Sequence, residues 1–145
     1  MKKSYSDIDV LLKDLKSDIE DVLMDEVLDG VKDIEIRHVE EDVFSVYSPN
    51  VYRRRMSDGL DDPDNIVGEV NNMVLEVENI SEFTDWRGNA KRGKGLTEFV
   101  NDYDYPGIIG QSRPFIDNTV DEIESTDRVD EALVKGLRKR GYDVT

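Results

Sequence analysis

Between Ser6 and Asp29 the apolar residues Ile8, Leu11, Leu12, Leu15, Ile19, Val22, Leu23 and Val27 recur at steps of three and four. That is the period of an amphipathic helix. Such a helix holds only when its apolar stripe is laid against another element, so the remaining chain must supply one. Ser6 is placed to cap it, with Asp9 three residues on as a short form of the capping box. Gly30 reads as its stop. The opposite face carries Asp14, Asp18, Asp21 and Asp25, a negative stripe that Lys13 and Lys16 relieve only locally. The helix either covers a sheet or lies at a subunit interface.

The elements that could cover it read as short strands. Val31 to Val39 sets Ile34, Ile36 and His38 against Asp33, Glu35 and Arg37, the alternation of a half-buried strand. Glu40-Glu41-Asp42 reads as a hairpin loop. Phe44–Tyr47 and Val51–Arg54 read as strand pieces broken by Ser48-Pro49-Asn50, with turns at Ser57-Asp58-Gly59 and Asp62-Pro63-Asp64-Asn65. After an Asn71-Asn72 turn, Met73 to Asn79 alternates again. Residues 80–105 read as a long flexible loop, a feature that in a compact domain is usually functional or mobile. Pro114 suits the start of a helix whose face holds Ile116, Val120 and Ile123. Ser125-Thr126-Asp127 offers a cap for a last helix carrying Val129, Leu133 and Leu137, with Ala132 and Gly136 allowing close approach and Gly141 ending it. The expected fold is α+β: one domain over residues 1–145, with a small antiparallel sheet packed against a long N-terminal helix and C-terminal helices. The length of 145 residues supports a modest core.

Charge narrows the partners. The formal net charge is −15, so a free-standing DNA-binding role is disfavoured, because phosphate contact needs clustered Lys and Arg. The acidity is either a plain solvated surface or a face that repels DNA or meets basic partners. Two basic clusters stand out. Arg53, Arg54 and Arg55 either pair with acids of the same chain or meet an acidic neighbouring subunit, where the guanidinium fork suits carboxylates. Trp86 leads into Arg87-Gly88-Asn89-Ala90-Lys91-Arg92-Gly93-Lys94-Gly95, four bases with no acid. This segment is the best placed to reach DNA or an acidic partner, and it matches neither glycine-rich phosphate-binding pattern.

No catalytic constellation is present. There is no Cys and a single His, which leaves thiolate chemistry, disulfides, zinc ligation and Ser-His-acid triads without their parts. The absence of Cys fits an intracellular assembly site. Asp58, Asp61, Asp62 and Asp64 lack EF-hand order and read as a turn. His38 reads as a structural hydrogen-bonder. The many acids single out no pair for hydrolysis, so no catalytic residue, cofactor site or metal site is expected. Met1-Lys2-Lys3 leads into no apolar h-region, and no apolar run approaches the roughly 18 residues of a membrane span.

In order, the acidic N-terminal helix, Val46-Tyr47-Ser48-Pro49 with Tyr52-Arg53-Arg54, the Gly59-Leu60-Asp61 turn with Asn65-Ile66, Arg113-Pro114-Phe115-Ile116, and Leu133, Gly136, Leu137 and Gly141 form a pattern. It resembles the tail-completion (head–tail joining, neck) proteins of long-tailed bacteriophages. The resemblance implies a structural protein of the virion, assembled in the host cytoplasm as a homo-oligomeric ring, expected to be hexameric. Such a ring would join the head connector or stopper to the tail terminator or tail tube, around DNA that passes without specific binding. Arg53–Arg55, Trp86, Arg87, Lys91, Arg92, Lys94 and Arg113 are the expected interface residues. The alternative is an acidic, non-enzymatic binding module such as a DNA mimic, against which both basic clusters argue.

Overall fold

The structure is a computed structural model that describes residues 4–44, 59–81, 83–84, 90–91 and 114–144. The class is α+β, as the sequence indicates. Helix α1 runs Ile8–Val22, a π-helical stretch follows at Leu23–Val27, and α2 runs Leu28–His38 into a second π stretch, Val39–Phe44. A 3₁₀ turn, Pro63–Asn65, leads into β1 (Ile66–Asn71), which pairs with β2 (Val74–Asn79). β3 (Phe83–Thr84) and β4 (Ala90–Lys91) form a second antiparallel pair, Phe83 opposite Lys91 and Thr84 opposite Ala90. Helices α3 (Phe115–Ser125) and α4 (Arg128–Lys139) close the order.

The residues group into two compact units. One takes residues 1–31, 68–77 and 126–145; the other takes 32–67 and 78–125. In the first, Val22, Val27, Leu28 and Val31 are buried. Val22 and Val27 are five apart, a spacing that points to different sides of a regular α-helix. The π turn, closed by i→i+5 bonds, brings both to one side. Helix α4 lies against this stripe. A Cβ on Gly136 would stand 2.5 Å from Val22 Cγ1 and 2.9 Å from Glu26 Oε2, so only glycine permits the approach. Gly141 ends α4's last turn with φ 94°, the left-handed conformation expected of a C-terminal glycine. On another side of the long helix, Leu28 presses on the backbone of Gly68.

In the second unit Ile34, Val39, Val43, Leu60, Ile66 and Phe115 form the core. Pro114 stands just before α3, and its carbonyl accepts the first-turn bond from Asn118 N at 3.0 Å. Phe115 is fully buried, so the start of α3 is anchored by its first side chain.

The structure corrects the reading of Val31–Val39. This segment is helical, not a strand, and Gly30 lies inside the helix instead of ending it. Val31, Ile34, Glu35 and Val39 bury one helical stripe, while strand alternation would have turned Glu35 to solvent. Glu40-Glu41-Asp42 continues the helix and is no hairpin loop; Phe44 is the last described residue of this helical stretch, and residues 45–47 of the expected strand lie outside the described residues. Asp7, not Ser6, caps α1, its side chain accepting from Asp9 N at 2.8 Å. The hairpin turn is Asn72-Met73, one residue later than expected, and its first strand, Ile66–Asn71, went unread. Residues 80–105, read as irregular, contain the β3–β4 pairing. Asp127 occupies the N-cap of α4 without a side-chain cap bond. The expected strand at Val51–Arg54 and the break at Ser48-Pro49-Asn50 lie outside the described residues.

Gly136→Ala should destabilise the fold by about 1–3 kcal/mol, because Val22 is fully buried and has nowhere to withdraw. This exceeds the ~1 kcal/mol that Ala ordinarily gains over Gly inside a helix. Urea unfolding of the variant beside the wild type measures it.

Candidate functional site

Asn79 ends β2 and is 3 % exposed, Ser81 follows it fully buried, and Asn65 ends the 3₁₀ turn, also buried. Asn79 Nδ2 donates both protons, to Glu35 Oε1 and to the Leu60 carbonyl, each at 2.9 Å. Its Oδ1 accepts from Ser81 N at 3.1 Å. The Ser81 hydroxyl lies 2.5 Å from Asn79 Oδ1 and 2.9 Å from the Gly59 carbonyl. That carbonyl also accepts from Asn65 Nδ2 at 3.0 Å and from Asp62 N at 3.1 Å. Asn65 O in turn accepts from Ile80 N at 2.7 Å. The turn at Gly59–Asn65 is therefore tied to the end of β2 by paired polar groups within an apolar core. Burial pushes the Glu35 carboxyl above its ordinary range, although the Asn79 bond works in the opposite direction. Glu35 is 3 % exposed, and its carboxylate is held by Asn79.

A second cluster lies where α2 meets α3. His38 Nδ1 is 2.9 Å from Asp42 Oδ2, which also accepts from Asn118 Nδ2 at 2.9 Å. On its other side, His38 Nε2 stands 3.4 Å from Glu122 Oε1 without forming a hydrogen bond. Arg37 pairs with Glu122 Oε2. Both ring nitrogens face carboxylates, which orient the imidazole.

In the first unit, Arg140 reaches the π stretch: NH1 lies 3.2 Å from Glu26 Oε2 and 3.1 Å from the Gly136 carbonyl, and NH2 lies 3.0 Å from Asp25 Oδ2. Burial alone would raise the Glu26 carboxyl. Its backbone bond, Arg140 and Lys139 outweigh this and hold it below the ordinary range. Tyr142 donates to Asp18 Oδ2 at 2.6 Å, and burial with that bond pushes its phenol well above the ordinary range. The basic end of α4 thus neutralises part of the acidic stripe of the long helix.

Among the described residues no three His, Asp or Glu side chains are placed to hold a metal ion. Asp62, a member of the aspartate group, instead caps the 3₁₀ turn, accepting from Asp64 N at 2.9 Å. Arg53, Arg54, Arg55, Trp86, Arg87, Arg92, Lys94 and Arg113 lie outside the described residues, and Lys91 is described only as a β4 backbone position. Glu35, Asn79 and Ser81 were not singled out from sequence, and Asn65 was read only as part of a turn and of the family pattern. A helical reading of Val27, Val31, Ile34 and Val39 would have placed Glu35 on the buried stripe. No described helix is long and apolar enough to cross a membrane.

A model of the YomN family matches residues 7–139. No curated protein and no solved structure matches the chain.

Glu35→Gln keeps the acceptor for Asn79 and removes the ionisation. With the folded-state value raised above the ordinary 4.5, the native state holds the proton longer than the unfolded chain. Wild-type stability on this account is retained below that value and declines as pH rises through the raised one. The variant should melt with the wild type near pH 4 and progressively above it toward neutrality. Thermal melts from pH 4 to 8 check the difference.

Proposed function

This chain belongs to the YomN family, a phage-derived, SPbeta-like family, and from that premise we propose that it is a structural protein of the phage neck or tail. In this reading it is a non-enzymatic protein of the virion, assembled in the host cytoplasm. Copies form a closed ring that joins the head connector or stopper to the tail terminator or tail tube. The observation that carries the reading is the family match across residues 7–139. It spans the Tyr47–Arg54 and Arg113–Ile116 pieces on which the resemblance to tail-completion proteins rests. Net charge supports it: at −15, a channel-facing surface repels DNA and lets it slide. Ring contacts would be head to tail, closing by rotation. Arg53–Arg55 and the basic residues of 87–94, with Trp86 and Arg113, would face acids of a neighbouring copy or ring, where opposite charge sets register more than affinity.

Deleting the gene from an inducible lysogen tests the role. The expected result is DNA-filled heads and separate tails by electron microscopy, restored to joined particles by the gene in trans. Purified wild-type particles should contain the protein by mass spectrometry. Infectious particles in normal yield without it would overturn the reading. In trans, Arg53→Glu with Arg54→Glu should fail to restore joining while leaving the circular dichroism and melting of the isolated protein unchanged.

A further inference from the structure

Helix α3 is held differently at its two ends. Phe115 and Thr119 are its buried residues, both in the first half, and Thr119 Oγ1 donates to the Phe115 carbonyl at 2.6 Å. Residues 120–125 include no buried residue. A helix this short depends on tertiary packing, so polar contacts carry more of the hold on its second half. Those contacts converge on His38. Asn118 Nδ2 donates to Asp42 Oδ2, and Glu122, one turn further along α3, lies between Arg37 and the His38 ring.

The ring is set between two acids from two elements. Nδ1 is 2.9 Å from Asp42 Oδ2 on the π stretch, and Nε2 is 3.4 Å from Glu122 Oε1 on α3. The His38 side chain is 13 % exposed. Among the described residues, its Nε2 is the one buried side-chain nitrogen or oxygen without a hydrogen bond. A neutral imidazole carries a single N–H. Placed on Nδ1, that proton reaches Asp42 and leaves the Nε2 lone pair against Glu122 Oε1. Placed on Nε2, it leaves the Nδ1 lone pair against Asp42 at the shorter distance. The cation alone offers a proton to each. Asn118 and Arg37 also donate to these two carboxylates, so both meet the ring as acceptors. Among the described residues, the charged groups around the ring are thus Asp42 and Glu122, with Arg37 on Glu122 and Glu41 4.0 Å from Arg37.

We propose that His38 is a proton-operated clasp for the second half of α3: charged, the ring bridges Asp42 and Glu122; neutral, it keeps Asp42 and drops Glu122. The nitrogen that gains and loses the proton is Nε2, because Nδ1 has the closer acid. Histidine is the side chain whose charge ordinarily changes between about pH 5 and pH 8, so the clasp works around neutrality. With the proton gone, a lone pair faces a carboxylate oxygen in a largely buried place, where the mismatch is screened least. Arg37 then keeps Glu122 alone, through a side chain that is 36 % exposed. The inference concerns a device of the fold and does not rest on the neck reading.

The chain has a single His, so its ring resonances need no mutational assignment. Proton–nitrogen correlation spectra of the whole protein, from about pH 5 to about pH 8, should show both ring nitrogens protonated at the acid end and Nδ1 alone protonated at the other. A neutral ring protonated on Nε2 would overturn the proposal. Amide hydrogen exchange, corrected for the intrinsic rate at each pH, gives the second readout. Across this range, protection in residues 120–125 should fall by about threefold to tenfold more in the wild type than in His38→Gln, the size of one charge-assisted hydrogen bond. Glu35 is present in both proteins, so its titration cancels in the comparison. The same excess is expected over Glu122→Gln, whose amide can accept from Nε2 or donate to it whatever the ring's charge. This second comparison decides if His38→Gln does not fold. Equal falls in wild type and variant would overturn the clasp.

Discussion

The amide of Asn79 ties together segments that lie far apart in sequence. Its two protons go to Glu35 on α2 and to the Leu60 carbonyl in the Gly59–Asn65 turn, and its oxygen receives the backbone of Ser81. These groups are buried with the apolar side chains of Leu60, Ile66 and Ile34. A buried polar group left unpaired costs about 1–3 kcal/mol, so removing this one side chain would strand several at once. The network also fixes geometry that apolar packing leaves loose. Leu60 and Ile66 could fill their space in more than one way, but the carbonyls of Gly59 and Leu60 can meet Asn65, Ser81 and Asn79 in only one register.

The long helix shows what sequence reading could and could not reach. Its first half was legible because Ile8 to Val27 repeats at helical steps over many turns, long enough for the period to be unmistakable. Its second half was misread because Val31–Val39 also fits alternation. Nine residues do not separate the two periods when a buried glutamate occupies a helical core position. Asn79 explains Glu35, and nothing local to Glu35 could have announced a partner 44 residues away. Gly30 misled for a related reason. A glycine that ends a helix and one that sits inside it beside another helix look alike in sequence, and the structure sets Ala132 Cβ 3.8 Å from where a Gly30 Cβ would stand.

Gly136 and Gly141, by contrast, were legible because each glycine has a physical task where it stands. One permits α4 to approach Val22 and the other turns the chain left-handed after the last helical turn. Asn72-Met73 was not legible as the turn, because Met is an improbable occupant of a position with φ 61°. The sequence was misleading at the point where the backbone is strained, which is where function can override local preference.

The same contrast bears on the resemblance to tail-completion proteins. Gly59-Leu60, Asn65-Ile66 and Phe115, which helped to carry it, are buried residues of the second unit. Gly136 and Gly141 serve packing and termination in the first. Residues of this kind preserve a fold, and a fold can host more than one function. They can therefore support kinship with a family while saying little about what the protein touches. Partner choice must come from side chains that the fold does not consume. In the described part of the chain, Ile8, Leu12 and Met73 are among the large apolar side chains that remain exposed.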